Sequence, residues 1–224
     1  IVSRYHISHE KIDIAYNGVN QGFLPLDHSS IQSVRKQWTA GCPYFLFIGS
    51  IHNRKNIVRL LLAFDAFKKS TSTNMKLVFA GAKRWWSDEM QTTLDGIEFR
   101  EEVIFTGRVS DDELHQITAS AFAVTYVSNF EGFGIPIIEG MSAGVPVITS
   151  NVTSMPEVAG GAALLVDPFS IESIATGMQQ IFSDDNLRQK LTLQGIERSK
   201  DFTWKKTAAS LWESMMKTID TKNQ

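Results

Sequence analysis

Between residues 129 and 150 the chain reads NFEGFGIPIIEGMSAGVPVITS, an apolar run that holds two carboxylates, Glu131 and Glu139, with four glycines and two prolines. Gly132-Phe133-Gly134 lets the backbone approach a ligand closely, because glycine has no side chain and tolerates positive φ. Pro136 suits the first turn of a helix, where its missing N–H costs nothing. A helix starting there leaves the amides around Gly134 and Ile135 free to meet a phosphate or a hydroxyl. Glu131 then precedes the helix and Glu139 lies about one turn inside it. Two carboxylates would repel a phosphate placed directly on them, so they serve its flanks by accepting hydrogen bonds from hydroxyls. A nucleotide sugar has that layout, with a ribose on one side of a diphosphate and a hexose on the other. Each glutamate alone also has a plainer reading: Glu139 as an acid that favours the helix dipole, Glu131 as a solvated loop residue. A glycosidase-style carboxylate pair would need a barrel pattern or sugar-lining aromatics, and neither accompanies these two.

A second segment, GSIHNRKN at 49–56, sets a Gly49-Ser50 turn before Arg54 and Lys55. Both cations fall at the predicted start of the next helix, where they oppose its dipole. Either they point to water or an anion lies between them. A third, FTGRVSDDEL at 105–114, puts Val109 just before a capped helix, a place where backbone groups could read a base edge. Asp111, Asp112 and Glu113 read as helix-start residues. No Asp-x-Asp triplet exists, the five histidines have no metal-binding spacing, and neither a Walker-type loop nor the dinucleotide fingerprint is present. The expectation is no tightly bound metal or cofactor.

These segments need a scaffold. Six apolar runs, YFLFIG (44–49), KLVFAG (76–81), VIFTG (103–107), FAVTYVS (122–128), VPVITS (145–150) and AALLVDP (162–168), alternate with helical patterns. Ile57, Leu60, Leu61, Phe64 and Phe67 make one stripe on a helix over 54–69. Ser110 with Glu113 is a capping box, and Ser170 opens a helix carrying Ile171, Ile174, Met178 and Ile181. Such alternation predicts an α/β fold: a Rossmann-like parallel sheet with helices on both faces. In such sheets ligands sit beyond the carboxyl ends of the strands, where all three segments lie. We divide the chain into a linker segment over 1–39 with a weak strand at IDIAY, a Rossmann-like domain over 40–202, and a C-terminal helix over 203–224. In that helix Thr203 caps a stripe of Trp204, Ala208, Leu211 and Met215 that needs a surface to cover.

Composition narrows the partners. A net charge of -2 with scattered Lys and Arg excludes the basic field that nucleic-acid binding uses. The single Cys42 excludes an internal disulfide framework and fits a reducing compartment. No apolar run approaches the ~20 residues of a membrane span, which predicts a cytoplasmic protein and leaves room for peripheral contact with the membrane's inner face.

Taken together, these segments resemble the C-terminal, donor-binding half of the GT-B-fold retaining glycosyltransferases of family 4, the group 1 glycosyltransferases. Glu131-Gly132-Phe133-Gly134-Ile135-Pro136-Ile137-Ile138-Glu139 matches the family's E-x7-E motif. MSAGVPVITSNVTSMPEVAGGAALLVDP resembles the family's segment after that motif, FIGSIHNRKNIVRLLLAF the first strand, loop and helix, FTGRVSDDEL the base-facing loop, and KIDIAYNGVN the segment leading out of the N-terminal domain. The resemblance implies a hexosyltransferase acting with retention, with Glu131, Lys55 and Arg54 as the catalytic charges. Lys55 and Arg54 would hold the donor diphosphate, doing what a metal does elsewhere. Glu131 would contact the donor sugar and Glu139 the ribose, with Gly49, Ser50, Gly132, Phe133, Gly134 and Ile135 near the sugar and phosphates and Val109 beside the base. Many relatives carry Arg directly after the first-strand glycine, where this chain has Ser50; Arg54 would supply that charge. The donor would be a GDP- or UDP-sugar, with GDP-mannose the first candidate because GSIHNRKN is similar to mannosyltransferase-type members. The acceptor, a glycan or lipid-linked sugar, would sit on a missing N-terminal domain, so that this chain alone binds donor with little or no turnover. The helix over 203–219 would cross back towards that domain. Two other readings are a non-catalytic nucleotide-sugar-binding domain and a GT-B sugar-nucleotide epimerase.

Overall fold

The computed structural model describes residues 2–222. Among the described residues six strands, β1 (Tyr44–Ile48), β2 (Lys76–Ala80), β3 (Val103–Gly107), β4 (Ala123–Tyr126), β5 (Val147–Ser150) and β6 (Leu164–Val166), form one parallel sheet in the order β3-β2-β1-β4-β5-β6. Each lies inside one of the six apolar runs. The runs read as continuous because both faces of the sheet are covered. Tyr44, Leu46, Ile48, Val78, Val124 and Val147 feed one core, while Phe45, Phe47, Leu77, Phe79, Ala123 and Ile148 feed the other. Successive residues point to opposite faces, as the period of two requires.

Ten α-helices among the described residues surround the sheet: α1 (Val2–Tyr5), α2 (His28–Thr39), α3 (Ile57–Ser70), α4 (Asp88–Gly96), α5 (Asp111–Ala119), α6 (Ile135–Ser142), α7 (Met155–Ala159), α8 (Ile171–Ser183), α9 (Asp185–Ser199) and α10 (Trp204–Lys222). The predicted stripe of α3 is buried beside Ile174, Met178 and Ile181 of α8 on the phenylalanine-rich face. The other face takes Val34 of α2, Ile117 of α5, Met141 of α6 and Val158 of α7. Burying each large apolar side chain contributes about 1.5–3 kcal/mol, so these two layers are what hold the strand ends rigid. The Ser110–Glu113 capping box of α5 forms as its sequence predicts.

Three glycines close one side of the ligand-facing edge. Gly49 N donates to Ala80 O at 2.9 Å and Gly81 N donates to Gly107 O at 3.0 Å. Gly81 adopts φ 153°, and a Cβ there would lie 2.1 Å from Gly49 O. Since that neighbour is backbone, Gly81→Ala should destabilise the chain by about 2 kcal/mol, read as a lowered urea midpoint; an unchanged midpoint would show that the two strand ends can part freely.

The ends of the chain correct several expectations. IDIAY is not a strand: residues 12–20 run along α10 without joining the sheet. Asp13 pairs with Lys217 at 2.7 Å, Tyr16 O accepts from Thr207 Oγ1 at 2.6 Å, and Asn20 Oδ1 accepts from Trp204 Nε1 at 3.2 Å. Within the segment assigned to a linker, α2 is a full helix on the sheet, capped by Asp27, which accepts from Ser30 N at 2.9 Å, and tied down by Arg35 Nε donating to Ser120 O at 2.8 Å. The expected stripe of α10 stays exposed at Trp204, Leu211 and Met215. Cys42 is half-buried. No helix among the described residues is long and apolar enough to cross a membrane.

Candidate active site

The strand order reverses between β1 and β4, which leave the sheet in opposite lateral directions and open a crevice beyond their carboxyl ends. The loop after β1 carries Arg54 and Lys55; the loop after β4 carries Glu131. Topology alone therefore brings these residues together from distant parts of the sequence.

Arg54 and Lys55 do not start the next helix, as their sequence position suggested. They lie in a separate 3₁₀ turn, Asn53–Lys55, and Asn56 then takes a left-handed conformation at φ 62° before α3 begins. Asparagine tolerates that region, and its Nδ2 donates to Val127 O at 2.9 Å and Pro168 O at 2.7 Å. This asparagine turns the two cations out of the helix axis and over the end of β4. The conflict with the α3 dipole is eased by this turn, and the anion between the two cations is the protein's own Glu131 carboxylate.

Both cations meet Glu131. Arg54 Nη1 lies 2.5 Å from Glu131 Oε2 and Lys55 Nζ lies 2.7 Å from Oε1. The Glu131 and Lys55 side chains keep only 8% and 10% of their exposure, whereas Arg54 keeps 47% at the rim. Burial works to raise the Glu131 pKa, but Lys55 and then Arg54 outweigh it and hold it below the ordinary value. Burial likewise pushes the Lys55 ammonium down against the pull of Glu131. Lys55 Nζ also donates to Tyr126 OH and lies 4.5 Å from that ring's centre. The Tyr126 hydroxyl is pushed far up by burial and then by Glu131, so it stays protonated.

The backbone at Glu131 is pinned. Its N–H donates to Thr153 Oγ1 at 3.3 Å, and Ser154 Oγ donates to the carbonyls of Glu131 and Phe133 at 3.0 Å each. Thr153 does this from φ 57°, a region a β-branched residue enters only under strain, and such strain concentrates at functional sites. Next to it the Ser128 hydroxyl adds to the pull that holds the Glu131 pKa down, and the buried Asn129 Oδ1 lacks a well-aligned partner among the described residues.

Glu139 sits one turn into α6, 7% exposed. Among the described residues no group donates to its carboxylate, and burial raises its pKa to about 7. Gly134 caps α6 at φ 104° while Gly132 does not enter the positive-φ region, so only the second glycine of the pair uses that freedom. A Cβ at Gly132 or Gly49 would meet open space. Ile135 and Ser50 are exposed and Phe133 half-buried at the same strand ends. Val109 packs on the tyrosine-bearing core face, and no hydrogen bond links it to the charged trio.

Reading the residues alone missed Tyr126, Asn56, Thr153 and Ser154. Tyr126 is hidden in an apolar strand, where only its place at the strand's last residue hints that its hydroxyl emerges beside a loop. It also missed Trp85, half-exposed after β2 and edge-on to His52 at 5.2 Å, whose Nδ1 accepts from Arg54 N at 3.3 Å.

Residues 31–198 match the family model described as Glycosyl transferases group 1. The chain is 37% identical over 161 residues to O-antigen chain mannosyltransferase B of Escherichia coli, covering 72% of this chain and 42% of that protein. It is 32% identical over 181 residues to O-antigen chain mannosyltransferase RfbU of Salmonella typhimurium, covering 81% and 47%. The chain thus spans less than half the length of these curated relatives. The C-terminal domain of the glycosyl transferase group 1 family protein LpcC from Francisella tularensis superposes with a TM-score of 0.70 at 24% identity, covering 82% of this chain and 97% of that one.

Proposed function

The chain belongs to the group 1 glycosyl transferases, and on that premise we propose that it is the donor-binding part of an enzyme that transfers a hexose from a nucleoside diphosphate sugar to a glycan or lipid-linked acceptor with retention. The observation that carries this reading is the convergence of Arg54, Lys55 and Glu131 at the point where strand order reverses. In this reading Arg54 and Lys55 bind the diphosphate, helped by the free amides around Gly134 and Ile135 at the start of α6. Glu131 accepts from the hexose and Glu139 from the ribose; Gly49, Ser50, Gly132 and Phe133 line the space between, and Val109 borders the base.

Chemistry follows from charge. As the bond between the anomeric carbon and the diphosphate oxygen breaks, negative charge grows on the departing nucleoside diphosphate and positive charge on the sugar. Cations and amides already aimed at the diphosphate stabilise that charge without reorganising. The acceptor hydroxyl then bonds to the anomeric carbon and gives its proton to the departing diphosphate oxygen.

Similarity to two O-antigen mannosyltransferases favours mannose as the sugar; GDP and UDP are the two candidate carriers, with GDP-mannose tried first. The acceptor is read as sitting on a domain outside this chain, towards which α10 crosses, in an enzyme at the inner face of the cytoplasmic membrane. A thermal-shift panel of GDP, UDP and their sugars tests the donor site. At about 100 times Kd a ligand of the folded state adds about 2.7 kcal/mol, so at least one member should raise Tm by several degrees. A panel in which none does contradicts the reading.

A further inference from the structure

Resting on the donor-site reading above, we propose that Glu131 is a tethered competitor for the diphosphate, which makes the site prefer the sugar-bearing nucleotide over the spent nucleoside diphosphate. Three observations carry it. Glu131 occupies both cations at once, at 2.5 and 2.7 Å, so a diphosphate reaching Arg54 and Lys55 must take them from a carboxylate already in place. That carboxylate cannot follow them out or turn to solvent, because its backbone is held on both sides by Thr153 and Ser154 and its side chain is 8% exposed. And no third cation stands ready, since Arg54 and Lys55 are the charged partners of Glu131 among the described residues.

The consequence is an exchange with a condition attached. When the diphosphate draws the cations away, Glu131 keeps only the neutral hydroxyls of Ser128 and Tyr126 and is left as a buried carboxylate without a charge partner, a costly state. A hexose attached to that diphosphate brings hydroxyls that donate to Glu131, and the exchange is then complete. A nucleoside diphosphate without the sugar brings none, and the cations are drawn back. The same contact thus favours donor entry and, after transfer, release of the nucleotide product. Arg54, at the half-exposed rim, is the partner placed to move first.

Titration calorimetry on this chain with GDP, UDP and their sugars, wild type against Glu131→Gln, tests it. The amide is close in shape but does not hold two cations, so the variant should bind the nucleoside diphosphate about tenfold more tightly than wild type. Its affinity for the sugar nucleotide should stay level or fall, so the preference for the sugar-bearing ligand drops at least tenfold. If the nucleoside diphosphate binds no better to the variant and the preference persists, the inference is overturned while the donor site stands. If wild type binds none of the four, both fall together. Should Glu131→Gln not fold, Glu131→Asp, which withdraws the carboxylate by one methylene, should show the same direction of change.

Discussion

Replacing Lys55 by alanine should weaken a nucleoside diphosphate sugar by about 100-fold or more and leave the parent nucleoside almost unchanged. The size follows from burial. A charge partner removed from a desolvated pair costs about 2–5 kcal/mol in typical measurements, and about 2.7 kcal/mol is 100-fold. Lys55 is buried against Glu131 and Tyr126, so water screens it little, whereas Arg54 at the rim is screened more and its replacement should cost less. The nucleoside carries no diphosphate and has nothing to lose. Calorimetry with matched nucleoside, nucleoside diphosphate and sugar nucleotide separates these cases, and Lys55→Met, which keeps the stem, isolates the charge from the packing. Equal losses for nucleoside and nucleotide would take Lys55 out of the diphosphate site.

Glu139→Gln should have the opposite sign on stability. Burial lifts the Glu139 carboxyl from its ordinary 4.5 to about 7, with no donor to offset it. The folded chain therefore holds this proton more tightly than the unfolded chain does. Stability falls as pH rises from about 4.5 through 7, and above that the loss amounts to about 3 kcal/mol. Glutamine imitates the protonated acid at every pH. The variant should thus be more stable than the parent by up to about 3 kcal/mol at pH 8 and equal to it near pH 4, read by urea unfolding at both. A gain of the same size at both pH values would contradict the account. Hydroxyls donating to the ionised carboxylate reverse this cost. Donor affinity should rise with pH through about 7, and binding near pH 7 should release a fraction of a proton, seen as a dependence of the calorimetric heat on buffer ionisation that the variant lacks. A residue that destabilises the empty fold and is relieved by ligand is a recurrent cost of function.

The layer architecture was legible because the physics that forms it is local to each run. YFLFIG and KLVFAG lie in a sheet covered on both faces, so they show no polar alternation, and the stripe on α3 repeats at the period its helix needs. The carboxylate and cation segments stand out as candidates because charges inside an apolar run or beside glycines draw attention, although each charge taken alone also has a plain structural reading. What stayed hidden depends on partners distant in sequence. IDIAY alternates like a strand, yet Asp13 and Tyr16 are claimed by α10 at the far end of the chain. Helix α2 carries only the spaced Ile31, Val34 and Trp38 after Pro25, and its Asp27 cap sits in a segment that reads as loop. The contact of Arg54 and Lys55 with Glu131 required knowing that β1 and β4 are neighbours, which no spacing in the chain reveals.

The central claim is that Arg54, Lys55, Glu131 and Glu139 surround one nucleoside diphosphate sugar. A crystal structure of the chain soaked with GDP-mannose, or with whichever panel member binds, tests it most directly. The account predicts the diphosphate against Lys55 and Arg54, the hexose hydroxyls on Glu131 and the ribose hydroxyls on Glu139. A ligand seated elsewhere, for instance in the groove lined by Arg35, Phe122 and Arg188 at the opposite strand ends, with the Arg54–Glu131–Lys55 contacts undisturbed, would contradict it.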